Sequence, residues 1–208
     1  MSLSLVITDK NIESKIKTEI SKEINKRSNK NKNRVIKELK NLVSGWIQSS
    51  PEIQSIASQG APASLNAVFG LSPFTTDAAV AGIVKAVSDS IEVSFKKIDK
   101  NLNGDLIFNF QSQTFANLLG LPQGHQETEF GGDLHWLDWL LTKGDSIIVQ
   151  GFYYVPSNGG RSGGGTMKIG GSFRVPAQFS GTPDENFITR AFQGREKQLS
   201  ATISKLLG

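Results

Sequence analysis

Between Asp9 and Ile47 the apolar residues fall at helical intervals, and this constrains the fold more than any other feature of the chain. Ile12, Ile16, Ile20 and Ile24 recur every four residues. After a polar gap come Val35, Ile36, Leu39, Leu42, Val43, Trp46 and Ile47. That period belongs to an amphipathic helix. It predicts a basic helical segment over residues 9–48, either continuous or broken near Ser28–Asn33. The stretch Asn25–Arg34 holds no apolar residue. In a continuous helix it stands clear of the core, so a helix this long is expected to lean on another subunit. Gly45 and Ser49-Ser50-Pro51 mark a stop or kink.

Charge follows the same division. Residues 1–50 hold 11 Lys+Arg against 5 Asp+Glu, net +6, and the remaining 158 hold 12 against 14, net −2. A basic N-terminal segment on a nearly neutral body is either a solvated helix face or a surface for nucleic acid or an acidic partner. No aromatic residue precedes Trp46, so base stacking is not supported there.

The rest of the chain alternates short elements with glycine and proline. With 38% apolar residues and 21 glycines in 208, the expectation is a loop-rich α+β domain, one domain over 1–208. Ser2–Thr8 reads as a short strand and not as a signal peptide, because it has no basic leader. Residues 52–59 suggest a short helix, and Thr76 or Asp77 caps a helix running to about Ser88. A sheet-containing body is expected over 90–208. It begins with a β-hairpin, Ile91–Ile98 and Leu106–Phe110, joined by the turn Asp99–Asp105. Residues 112–133 look irregular. Leu134–Thr142 reads as a short helix, Asp145–Val155 as a strand, and 157–166 as a flexible glycine-rich loop at a hairpin tip. The strand returns through Met167–Ile169 and Ser172–Val175, and Asp184 or Asn186 opens a closing helix that Gly194 weakens.

Motifs for chemistry are present by letter and lack their context. Asp99, Asn101, Asn103 and Asp105 imitate the first half of a calcium loop, but Phe110 stands where a bidentate Glu is required and the flanks have a strand period. Gly160-Arg161-Ser162-Gly163-Gly164 satisfies a nucleophile elbow, yet no His follows His135. The same loop has no Gly-Lys-Ser/Thr and no following helix N-terminus for phosphate. His125 and His135, with Glu127, Glu129 and Asp133, match no metal-ligand frame. The chain has no cysteine, which removes zinc-thiolate, iron–sulfur and cysteine-nucleophile chemistry. No apolar run approaches the ~20 residues that span a bilayer. The expectation is therefore a protein without catalysis, metal, cofactor or membrane span. Trp136, Trp139 and Leu140, at spacings three and four, share a helix face that serves core packing, a subunit contact, or both.

From Gly132 onward the residues resemble virion structural proteins of tailed bacteriophages, specifically the neck group of head–tail joining and tail-completion proteins. The likeness is carried by the Trp- and Leu-rich helix Leu134–Leu141, Gly144-Asp145-Ser146-Ile147-Ile148-Val149, and the Arg161-Ser162 loop. It continues through Arg174-Val175-Pro176, Phe179-Ser180-Gly181-Thr182 and Asn186-Phe187-Ile188-Thr189-Arg190-Ala191. The N-terminal half is similar in layout only. The resemblance implies a small mixed or antiparallel sheet packed by a long N-terminal amphipathic helix, a short central helix and a C-terminal helix. It implies a homo-oligomeric ring around the DNA channel of the virion, touching other neck, connector and tail proteins and, in passing, genomic DNA. Arg161 and Arg174 would then make contacts between subunits or rings. Trp136 and Trp139 would form a packed seam, and Phe187 and Arg190 would brace the ring. A tail terminator or baseplate component, and a basic nucleic-acid-binding accessory protein, stand as alternatives.

Overall fold

A computed structural model describes residues 9–110, 114–127, 131–160 and 162–207. The strand expected over residues 2–8, Glu129 and Arg161 lie outside the described residues. The chain is α+β, built from a long N-terminal helix, shorter helices and small antiparallel sheets. Its residues group into two compact units. One comprises 1–39, 91–109 and 197–208; the other comprises 40–90 and 110–196.

Helix α1 runs unbroken from Asp9 to Gln48, 40 residues, which is roughly 60 Å. The polar run 25–34 therefore does not interrupt it. Intrahelical ion pairs Glu13–Lys17 (2.5 Å), Glu19–Lys22 (2.7 Å) and Glu23–Arg27 (3.0 Å) line its first half. Its isoleucines are not the core stripe their spacing suggests. Ile24, Ile20, Ile16 and Ile12 are all exposed (36, 42, 53 and 44%), whereas Val35, Leu39, Val43 and Ile47 are fully buried.

In the first unit, strands β1 (Glu92–Phe95) and β2 (Leu106–Asn109) pair antiparallel, with Glu92 opposite Asn109. The join is turn chemistry, as expected. The Asp99 carboxylate accepts from the backbone N–H groups of Asn101 (2.8 Å) and Asn103 (3.0 Å), which hold it below the usual carboxylate range. Its Oδ1 is thus engaged by the loop itself. Asn25 of α1 clamps the hairpin: its amide donates to the Ile98 carbonyl and its carbonyl accepts from the Ile98 N–H, both at 2.8 Å.

The second unit holds most of the core. Helices α2 (Pro51–Ala57) and α4 (Pro73–Asp89) open identically, with a serine cap followed by proline at the first helical position. The α4 cap is Ser72, whose hydroxyl accepts from the Thr75 N–H (3.2 Å). The expected caps Thr76 and Asp77 lie inside the helix, with Thr76 fully buried. Between them sits α3 (Leu65–Val68).

Residues 112–133, read as irregular, contain α5 (Ala116–Leu119), a 3-10 turn (Pro122–Gly124) and a minimal ladder of β3 (Gln126–Glu127) with β4 (Asp133–Leu134), which takes in Leu134, expected to begin the next helix. Next come α6 (Trp136–Leu141) and the hairpin of β5 (Val149–Pro156) with β6 (Gly165–Phe173). The strands thus form three separate two-stranded ladders among the described residues, not one sheet. The closing helix is two: α7 (Phe187–Phe192) and α8 (Glu196–Leu207), divided at Gly194, which takes φ +70°. A left-handed glycine ends a helix, so Gly194 terminates where a mere weakening was expected. Among the described residues no helix is long and apolar enough to cross a membrane.

Candidate functional site

Asn186 ties the second unit together. It is fully buried, and its side-chain oxygen accepts from the N–H groups of Ile188 (3.0 Å) and Thr189 (3.2 Å). Thr189 returns the bond by accepting from the Asn186 N–H (2.9 Å). This capping box fixes the start of α7. The Asn186 amide donates to the carbonyls of Thr182 (2.9 Å) and Leu141 (3.4 Å), so α6 and α7 share one junction. Gly181 lies against it so closely that a Cβ there would sit 1.9 Å from the Leu140 carbonyl oxygen.

That junction decides where the sequence-marked residues fall. Trp136 is fully buried, packs on Phe69 with ring centroids 5.5 Å apart, and donates from its indole to the Gln123 carbonyl (3.0 Å). Phe187 is also fully buried. Neither leaves surface for a neighbouring subunit. The buried stripe of α6 is Trp136, Leu137, Leu140 and Leu141. Trp139, one step of three along, is half-buried, so only one of the two tryptophans is wholly committed to the core.

Arg190 donates to the Glu52 carboxylate at 2.6 Å, and Glu52 is only 2% exposed, so this arginine braces its own chain. Arg174 is exposed. It donates to the Asp145 carbonyl (3.0 Å) and lies 3.5 Å from the Asp145 carboxylate. The acidic and histidine residues of the irregular region do meet in part. His125 Nδ1 lies 2.7 Å from Asp133, and the His125 and His135 rings stack 3.9 Å apart. His135 Nε2 is buried without a partner, and burial followed by the neighbouring His125 lowers its pKa. Among the described residues no group of three or more potential ligands could hold a metal ion.

The surface best formed for contact is the β5–β6 hairpin. Both of its ends are held. At its base the Ile148 N–H donates to the Phe173 carbonyl (2.8 Å), and Phe173 and Val175 are buried. At its tip the Tyr154 hydroxyl donates to the Gly164 carbonyl (2.7 Å), and the Ser162 hydroxyl donates to the Ala67 carbonyl (3.3 Å). Gly164 approaches residues 61–67 so closely that a Cβ would lie 2.3 Å from Ala67 Cβ. The glycine-rich segment is therefore docked on its own unit. Its glycines serve close approach, where flexibility was expected.

Between these anchors the ladder is open. Ile169 is 87% exposed, and Met167, Tyr153 and Phe152 are exposed too. Phe152 lies opposite Ile169, and Tyr154 opposite Met167, so these four share one face. On the other face Tyr153 lies beside Gly170 and Gly171, where an added Cβ would meet its side chain at 3.7 and 3.6 Å. Among the described residues neither outer edge meets another strand. Sequence pattern did not mark this patch: Val149–Val155 is apolar on both faces, which reads as a buried strand.

Ser162 is engaged with a backbone carbonyl. A cavity of about 370 Å³ lined by Ser44, Gln48, Asp77 and Lys85 holds Lys85 paired with Asp89, and Asp77 accepting from Gln59 (3.1 Å). Comparison with protein-family models, curated proteins and solved structures finds no match.

Proposed function

We propose that this chain is a non-catalytic, ring-forming structural subunit of a tailed-phage virion, placed at the head–tail neck beside connector and tail proteins. The observation that carries the assembly role is the β5–β6 hairpin, fixed at both ends with apolar side chains and two strand edges left open. An isolated two-stranded ladder is marginal in water, and open edges are templates for pairing. A chain that holds such a ladder rigid presents a preformed interface. The outer edges of β5 and β6 are unlike surfaces of one protomer, so pairing one with the other on the next copy is heterologous and closes into a ring if the rotation permits. The exposed isoleucine row of α1 offers a second apolar surface. Assignment to the neck, over tail terminator or baseplate, follows the resemblance over residues 132–191.

Light scattering across a concentration series, alone and with tail components, tests this. The expected result is a closed ring, and Ile169→Asp with Met167→Asp is expected to abolish it while leaving tryptophan fluorescence unchanged. A protein monomeric under every condition, or a ring indifferent to both substitutions, would overturn the assignment of this surface.

A further inference from the structure

We infer that α1 carries a binding face for the phosphate backbone of duplex DNA, formed by Lys26, Arg27, Lys30, Arg34 and Lys37. Residues 26–37 hold six cations and no acid. On a 3.6-residue wheel five of them fall within roughly 100° of arc, and all five are exposed. The opposite side of the helix is committed. Asn25 grips Ile98 through two hydrogen bonds, and Val35 and Leu39 are fully buried. The cationic face is therefore held outward by the contacts that dock the helix.

Local electrostatics separate this segment from the rest of α1. In the preceding turns each acid is matched: Glu13 with Lys17, Glu19 with Lys22, Glu23 with Arg27. Lys26, Lys30, Arg34 and Lys37 have no acidic partner within ion-pair distance among the described residues. Lys26–Lys30 and Lys30–Arg34 are also like-charge pairs at spacing four, which oppose the helix. A polyanion lying along the face relieves that repulsion.

The residues between the cations indicate which polyanion. A protein interface is expected to include apolar or aromatic anchors, and Asn25–Arg34 has none. Single strands are held by aromatic platforms, and no aromatic precedes Trp46. Asn29 and Asn33 are exposed beside the cations, and both residue types donate to phosphate oxygens. The cations extend about 17 Å along the axis at 1.5 Å per residue, a length over which B-DNA presents about ten phosphates. Lysine, arginine and asparagine without groove-reading geometry give backbone contact, so the site is expected to be indifferent to sequence. The inference is independent of the ring reading, since it concerns each subunit in solution whatever its assembly.

Fluorescence anisotropy with a labelled 30-base-pair duplex tests it on the full chain. Arg27 is already paired with Glu23, so the four unpaired cations predict a slope of log K against log salt of about −3.6, a loss of roughly 150-fold between 50 and 200 mM. Lys26→Gln/Lys30→Gln/Arg34→Gln is expected to reduce the slope to about −1 and the affinity at 50 mM by more than tenfold. Glutamine keeps helix propensity and removes repulsion, so circular dichroism should show α1 intact or more stable. Lys10→Gln/Lys143→Gln/Lys205→Gln removes equal charge off this face and is expected to change affinity less than threefold. A flat salt dependence, equal loss in both triple variants, tighter binding of single strands than duplex, or equal competition by poly-glutamate would overturn the inference; the last would indicate an acidic protein surface as partner.

Discussion

Replacing Arg190 by methionine is expected to destabilise the second unit by about 3 kcal/mol. Glu52 sits in the first turn of α2, 2% exposed, with one carboxylate oxygen 2.6 Å from the Arg190 guanidinium and the other buried without any partner. Methionine keeps most of the arginine stem and removes the charge, leaving a buried carboxylate with no hydrogen bond at all. Breaking a buried pair from one side costs roughly 3–5 kcal/mol. Arg190 itself is 29% exposed, so solvent offsets part of that loss and the lower end applies. In a unit of this size the corresponding drop in Tm is on the order of 10 °C.

All three tryptophans lie in the second unit, so urea unfolding followed by fluorescence reads this unit alone. Glu52→Met/Arg190→Met replaces both partners and should recover most of the loss, because paired apolar groups leave nothing buried and unsatisfied. A coupling of at least about 2 kcal/mol is the expected signature. Loss below about 1 kcal/mol in Arg190→Met, or strict additivity in the double variant, would refute the view that Arg190 acts inside its own chain and return it to the list of candidate intersubunit contacts.

Two further outcomes follow from local geometry. Gly181→Ala places a Cβ 1.9 Å from the Leu140 carbonyl oxygen and 2.8 Å from Asn186 Cβ. It should cost more than about 3 kcal/mol or prevent folding. Gly151→Ala meets nothing within 4 Å but has φ +85° and should cost about 1 kcal/mol; the reverse order in urea midpoints would refute this ranking. His135 has its pKa lowered, chiefly by burial and next by His125, so the folded state binds its proton less readily than the unfolded chain. Stability is then fully present above the unfolded value of about 6.5 and falls as pH drops from there toward the folded value, by at most about 1.4 kcal/mol per pH unit. His135→Gln should flatten that slope, and an unchanged pH profile of the urea midpoint would show that His135 is not its source.

Much of the architecture was legible because it is local. The helical period of residues 9–48, the turn residues 99–105, the glycine-centred hairpin and the asparagine that opens α7 each act within a few positions of themselves. Ser72-Pro73 was equally local, and its cap-then-proline signature marks the start of α4 better than Thr76 does. What sequence could not carry is long-range occupancy. Gly164 is glycine because Ala67, far away in the chain, fills the space of its side chain, and composition alone cannot distinguish that demand from flexibility. Trp136 and Trp139 differ for the same reason. Helical spacing places them on adjacent rows, but only packing by Phe69 and the Gln123 carbonyl selects which row is buried. The isoleucines of α1 show the converse: they recur every four residues, as the buried Val35, Leu39, Val43 and Ile47 do, and yet stand exposed.

The distribution of polar and apolar groups has a consequence for how this chain must work. The second unit spends specific interactions on its own interior. A buried asparagine satisfies the ends of two helices, a buried carboxylate is matched by an arginine, and a glycine admits a backbone carbonyl where any side chain would collide. Such contacts specify one arrangement more than they add stability. Outside that interior, Ile169, Phe152 and Met167 stand in water on a ladder pinned at both ends. A monomeric fold gains nothing from holding apolar side chains rigidly exposed, since water contact is unfavourable whether the strand moves or not. Rigidity lowers the ordering entropy only at the moment another surface arrives. The combination of a specified interior and a preorganised apolar ladder is therefore what the proposed assembly role asks of a single subunit.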